Sequence, residues 1–167
     1  MVEGATPLPV LAVLGGGNAT EHEQAVAERI GGLAARHRWV VLTGGGPGVM
    51  AAACRGAVEG GGLTVGILPN ASPDDSYPNP WVRLPIFTGL GMARNAVNVL
   101  SATLCVAVGG AAGTLSEVAM ALKAGIPVWC YGSWSVDPPP DGAPSPRVFD
   151  DEEELIAALE GQLLSRR

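Results

Sequence analysis

VAVGGAAGTLSEVAMALKA, residues 106–124, passes from a strand signal to a helix signal through a pair of glycines. Thr103 to Val108 is apolar and rich in β-branched residues, as a buried strand requires. Gly109 and Gly110 break it, and a helix is expected from about Ala112 or Gly113. The first N–H groups of a helix have no internal partner and the helix dipole favours negative charge there, so strand–glycine turn–helix makes an anion site. Leu115, Val118, Ala119 and Leu122 recur at i, i+3, i+4 and i+7 as the apolar stripe. Glu117 lies roughly 150° from that stripe, which predicts an unburied carboxylate in the first helical turn. Thr114 to Glu117 also has capping-box spacing, so a cap and a functional acid both stand as readings of Glu117.

The pattern recurs along the chain. Pro9 to Leu14 is a short apolar run ending in Gly15-Gly16-Gly17-Asn18, and Thr20 with Glu23 is placed to cap a helix from Glu21 to His37. Trp39 to Leu42 reads as a second strand, ending in Thr43-Gly44-Gly45-Gly46-Pro47-Gly48. A helix follows from about Pro47 to Glu59, with proline in its first turn. Leu63 to Leu68 and Val82 to Phe87 read as further strands, the latter running through Gly89-Leu90-Gly91 into a helix from Met92 to Ser101. Pro127 to Tyr131 is another strand. An amphipathic helix from Asp151 to Leu164 closes the chain, with Asp150 and Glu153 at capping-box spacing and Leu155, Ile156, Leu159 and Leu163 as its apolar face. Two turn-rich connections, 69–80 and 133–146, have the composition of lids or mobile loops.

Alternating strands and helices with near-continuous apolar strands predict one α/β domain over residues 1–167, a parallel sheet layered by helices on both faces. Ligands of such sheets bind at the carboxyl ends of the strands near a topological switch point. Glycine turns at 15–17, 44–48, 89–91 and 109–113 fall at four of those ends, which points to a phosphate-bearing ligand.

Composition excludes other classes. A formal charge of −6 leaves no basic stripe for nucleic acid; Arg36-His37-Arg38 and Arg166-Arg167 read as helix-end charges. Three separated cysteines, Cys54, Cys105 and Cys130, form no metal-ligand cluster and read as buried thiols of a reducing compartment. No apolar run reaches about 18 residues and residues 1–8 lack the features of a secretory leader, so a soluble, cytoplasmic protein without membrane partners is expected. The glycine loops lack the lysine of a Walker A loop. They also lack the third glycine and following acid of a dinucleotide fingerprint, which leaves mononucleotides and other monophosphates. His22 and His37 read as solvated. Trp39 and Trp129 read as core or interface anchors, and packing is expected for Trp81 and Trp134, with stacking on a ligand ring or a partner chain as the alternative. Met50, Met92 and Met120 read as fillers between helices and sheet.

Three motifs occur in a shared order and spacing: Leu42-Thr-Gly-Gly-Gly-Pro-Gly-Val-Met50, Gly89-Leu-Gly-Met-Ala-Arg-Asn95 and Val108-Gly-Gly-Ala-Ala-Gly-Thr-Leu-Ser-Glu117. Through them residues 9–132 resemble the Rossmann-like superfamily of the Lonely-guy (LOG) proteins and the molybdenum-cofactor carrier proteins. The resemblance to LOG phosphoribohydrolases places their catalytic glutamate at Glu117, their threonine at Thr114 and their arginine at Arg94. The sequence departs from that pattern at Gly109, Ala111 and Asn95, where the hydrolases have Pro, Gly and Lys. The wording around Gly89-Leu90-Gly91 and Ala119 to Pro127 is similar to the carrier branch.

Two functions follow as expectations. A carrier would hold a phosphate-bearing ligand, the molybdenum cofactor or a nucleoside monophosphate, on Gly15, Gly16, Gly44, Gly45, Gly46, Gly48, Gly89, Gly109, Gly110, Gly113 and Thr114, with Arg94 paired to the phosphate. It requires no cofactor and no metal site of its own. A hydrolase would use Glu117 and Arg94 as catalytic groups to cleave the N-glycosidic bond of a nucleoside 5′-monophosphate, a bound phosphate raising the carboxyl pKa by like-charge repulsion. A scaffold with an emptied site is the third possibility. The resemblance further implies a homo-oligomer, a dimer or tetramer.

Overall fold

The structure, a computed structural model, describes residues 4–135, 137, 142 and 144–165. Arg166-Arg167, expected as helix-end charges, and part of the 133–146 connection lie outside those residues. Seven strands form one parallel sheet in the order β4-β3-β2-β1-β5-β6-β7. They are β1 (Val10–Gly15), β2 (Val40–Thr43), β3 (Thr64–Leu68), β4 (Leu84–Phe87), β5 (Leu104–Val108), β6 (Val128–Tyr131) and β7 (Arg147–Phe149). The helices are α1 (Glu21–Arg36), α2 (Val49–Glu59), α3 (Arg94–Leu100, entered through a 3-10 turn at Gly91–Ala93), α4 (Ala112–Ala124) and α5 (Glu152–Leu164). The expected α/β layering is present. The chain builds outward from β1 through β2, β3 and β4, then returns to add β5 on the other flank of β1, so the switch point lies between β1 and β5.

The two faces of β1 show why its run is apolar without alternation. Leu11 and Val13 face α1, α2 and α5 with Ile30, Ala53 and Leu159, while Ala12 and Leu14 face α3 and α4 with Val99, Val118 and Ala121. Every side chain of β5 is buried too, as a strand covered on both faces demands. Trp39 anchors the outer layer, donating Nε1–H to the Leu163 carbonyl of α5 at 3.2 Å, and Trp129 packs its ring 5.3 Å from that of Phe149.

Helix α1 starts as its sequence dictates. Thr20 accepts from the Glu23 N–H while Glu23 accepts from the Thr20 N–H at 2.7 Å, a complete capping box. Its contact with α2 is unusually close, because a Cβ on Gly31 would lie 2.0 Å from the Ala53 carbonyl oxygen and one on Gly56 would lie 2.0 Å from that of Glu28.

Several expectations are corrected. Helix α4 begins at Ala112 with Ala111 as its N-cap and no capping side chain, so Glu117 is in the second turn and forms no capping box. The buried stripe of α4 is Thr114, Glu117, Val118 and Ala121, with Ala119 exposed. Glu117 is therefore buried, 7% exposed, where the wheel had placed it outside. The sheet contacts a narrower face than the leucines suggest, and α3 covers the side from which Glu117 projects. Asp151, one residue later than expected, caps α5 by accepting from Glu154 N–H at 2.8 Å. Pro47 precedes α2 instead of opening it. Met92 is 89% exposed and fills no gap. His37 is half-buried, and β7 was not foreseen. No helix among the described residues is long and apolar enough to cross a membrane.

Candidate functional site

The loops after β1, β2 and β5 meet at the carboxyl edge of the sheet, astride the switch point. They enclose a cleft of about 190 Å³ lined by Gly15, Gly16, Gly17, Gly44, Gly113 and Thr114, with Arg94 and Glu117. Val13, Leu14, Met50, Asn95 and Ala111 complete its wall. A wider, more open recess adjoins it through Arg94, Asn95 and Gly113 and is bounded by Tyr77, Ser116 and Met120.

Glycine is required at this edge by close approach. A Cβ on Gly15 would meet the Val49 side chain at 2.4 Å and the Val108 carbonyl at 2.8 Å. Gly48 holds φ +66° and presses on the Gly16 and Gly17 carbonyls, and the next residue, Val49, donates its N–H to the Gly16 carbonyl at 3.1 Å. The β1 and β2 loops are thus locked together before any ligand arrives.

The remaining glycines singled out from sequence are not in the cleft wall. Gly45 and Gly46 are buried under Leu68 and Tyr77, Gly109 lies against the Glu23 carboxylate, and Gly110 lies against Thr114. Gly89 follows the edge strand β4 and donates to the Asn70 carbonyl at 3.0 Å, away from the switch point. Gly17 and Asn95 line the cleft but were not among the chosen ligand residues.

Arg94 opens α3 and reaches under the β2 loop, where Nη1 donates to the Gly44 carbonyl at 2.6 Å and the Ile67 carbonyl at 2.7 Å. Nε and Nη2 make no hydrogen bond among the described residues, so three of its five donors stay available at the cleft. Its guanidinium also stands 5.9 Å from the Tyr77 ring centroid.

Glu117 accepts from Asn98 Nδ2 at 2.9 Å. Burial pushes its carboxyl pKa up, opposed by the Asn98 hydrogen bond and the Arg94 charge. The rise thus exists without a bound phosphate and has desolvation as its main cause. Asn98 was missed in the sequence, although a polar residue between Val97 and Val99 on a short apolar helix is the signal that marks it. On the rim, Trp134 donates Nε1–H to the Ala111 carbonyl at 3.2 Å, tying the segment after β6 to the start of α4. Beyond the cleft His22 Nε2 and Tyr131 Oη lie 3.0 Å apart, so His22 is exposed yet engaged.

This fold, with a preformed cleft at its switch point, is that of a Rossmann-like α/β protein. A model of the SLOG cluster4 family matches residues 9–156, and the chain belongs to that family. An uncharacterized protein of Archaeoglobus fulgidus is 37% identical over 146 residues, 87% of this chain and 91% of the relative. Among solved structures, the Moco carrier protein of Chlamydomonas reinhardtii is 38% identical with a TM-score of 0.78, over 96% of this chain and 100% of the other. The molybdenum cofactor binding protein of the phototrophic bacterium Rippkaea orientalis is 37% identical with a TM-score of 0.73, over 95% of this chain and 88% of the other.

Proposed function

We propose that this chain is a single-domain binding and carrier protein for a phosphate-bearing small molecule, with the molybdenum cofactor as its ligand. The observation that carries the reading is the convergence of the β1, β2 and β5 glycine loops with Arg94 in one cleft. The amides that open α4 and the free Arg94 donors suit a phosphate. The likeness to two proteins named for the molybdenum cofactor supports the choice of ligand.

The donor set fits such a ligand. The cleft offers backbone amides, the Thr114 hydroxyl, a guanidinium and a carboxyl, groups that hold phosphate oxygens and ring edges. A metal carried by the pterin would arrive as cargo held by that ligand, and these donors would be left to bind its phosphate and ring edges. The adjoining recess with Tyr77 and Met120 gives space for a planar ring beside the phosphate. The test is to incubate the protein with isolated cofactor, remove free ligand by gel filtration, and assay molybdenum and oxidised pterin fluorescence. Co-elution near one equivalent, lost in Arg94→Ala, is expected. Passage of all pterin in the free fraction rejects the reading.

A second reading is favoured by the cleft-lining position of Glu117 and its raised pKa. A carboxyl poised in this way beside a ribose 5-phosphate would stabilise an oxocarbenium-like transition state or activate water for N-glycosidic cleavage. Nucleoside 5′-monophosphates incubated with wild type and Glu117→Gln, with release of base and ribose 5-phosphate followed by chromatography, separate the two. Turnover confined to wild type selects the hydrolase; no turnover leaves the carrier.

A further inference from the structure

Asn98 and Glu117 form a couple that packing alone does not account for. Asn98 is 1% exposed, and its Oδ1 is buried with no hydrogen-bond partner among the described residues. An idle buried amide oxygen is destabilising, so an apolar residue would serve α3 better as a packing element. What the amide does achieve is to donate from Nδ2 to Glu117 Oε1 at 2.9 Å. Glu117 Oε2 has no hydrogen-bond partner among the described residues, and Glu117 lines the cleft.

The charges around Glu117 do not pair it. Arg94, from α3, favours the ionised form but gives Nη1 to the Gly44 and Ile67 carbonyls and makes no ion pair with Glu117 among the described residues. Cys105 faces it from β5 as a thiol that burial keeps neutral. Strand β1 brings no titratable side chain, and β6 brings Cys130 and Tyr131. Burial of a carboxyl whose one hydrogen bond among the described residues comes from a neutral amide shifts the balance toward the acid, against the pull of the Asn98 bond and the Arg94 charge.

We propose that Asn98 is a positioning residue that anchors Glu117 Oε1 and leaves Oε2 as a protonated donor facing the cleft, so that the site selects dianionic oxyanions such as phosphate monoesters. This rests on the reading of the cleft as an anion site. An acid O–H donates to a phosphate oxygen where a carboxylate would repel it. Above the carboxyl's own titration, each anion that binds draws one proton from solvent onto Oε2, and no bond of the ligand breaks. Binding therefore weakens as pH rises.

Sulfate is the probe, because it stays dianionic across the range and adds no titration of its own. Calorimetric titration of the whole chain between about pH 5.5 and 8.5, in buffers of different ionisation enthalpy, reads affinity and proton uptake together. Wild type is expected to lose sulfate affinity toward about tenfold per pH unit at the alkaline end, with proton uptake approaching one per sulfate. Glu117→Gln, whose amide donates at every pH, is expected to bind sulfate without pH dependence and without uptake. Asn98→Ala removes the one donor that favours the ionised carboxyl, so its loss of affinity moves to higher pH. Sulfate binding by wild type with flat affinity and no uptake overturns the proton-donor role while the anion site stands. An unmoved profile in folded Asn98→Ala overturns the positioning role. Absence of sulfate binding by folded wild type at every pH overturns the anion site itself.

Discussion

Asn79 donates its side-chain Nδ2–H to the Gly46 carbonyl at 2.9 Å, and its backbone N–H to the neighbouring Gly45 carbonyl at 2.8 Å. Two bonds from one residue thereby fasten the long 69–80 segment onto the glycine loop that follows β2. Asn79→Ala leaves a buried carbonyl unpaired and is expected to cost about 1–3 kcal/mol. A urea titration checks this, and an unchanged midpoint would show that water replaces the amide at no cost.

Gly48 is the second point of constraint. An alanine there would have to hold φ +66° with its Cβ 2.4 Å from the Gly16 carbonyl oxygen. Backbone strain and overlap together predict a loss of about 2–4 kcal/mol and loss of ligand binding. Thermal unfolding and the gel-filtration assay read the two effects separately.

Gly31→Ala sets two effects of opposite sign against each other. Alanine is favoured in a helix by about 1 kcal/mol. Its Cβ, however, would lie 2.0 Å from the Ala53 carbonyl oxygen, a backbone atom that moves only if α1 and α2 separate. Overpacking costs about 1–3 kcal/mol and sometimes more, so net destabilisation is expected. A raised melting temperature would show that the two helices part easily.

Burial pushes the Cys105 thiol up to about 12 and the Cys130 thiol up to about 11. The unfolded thiols ionise near 9 while the folded ones stay protonated. The unfolded state then binds fewer protons, and stability falls as pH rises from about 9 toward those values. A combined Cys105→Ala and Cys130→Ala variant should show a shallower alkaline decline in chemical denaturation. An identical slope in both proteins would sink this account.

Glu117→Gln is expected to stabilise the empty protein at alkaline pH. The folded carboxyl titrates above its unfolded value, so wild-type stability is full below about 4.5 and is lost as pH rises through the folded pKa. An amide carries no charge to bury and still accepts from Asn98. The gain should vanish near pH 4, which melting curves at several pH values would reveal.

The layering of this fold is legible in the chain because β1 and β5 are apolar on both faces, and only a sheet covered twice asks for that. The Thr20–Glu23 capping box is likewise a local matter and forms as its spacing implies. Helix α4 was harder. Its leucines at 115 and 122 set the expected stripe together with Val118 and Ala119, yet the buried stripe keeps only Val118 of these and adds Thr114, Glu117 and Ala121. A stripe drawn through those leucines turns the wheel and places Glu117 in solvent. That the acid is buried depends on α3, which lies beside α4 in space but contributes nothing to the periodicity of residues 112–124. Strand β7, only three residues long and directly after a proline-rich stretch, is too short to carry a pattern. At the site, the glycine loops were visible as loops, but which glycines face the cleft and which wedge chains together is decided by distances between segments. Asn98 needed the same information.

The return of the chain to β1 also bears on how the protein is made. The Val10 N–H is answered by the Thr103 hydroxyl at 3.0 Å, 93 residues along, and β1 meets β5 across its whole length. While the ribosome is still short of residue 104, β2, β3 and β4 can assemble on one flank of β1, but the other flank is a bare apolar edge with unpaired amides and carbonyls. The most central strand of the finished molecule is thus the most adhesive part of the nascent one, sealed only when the last third of the chain emerges.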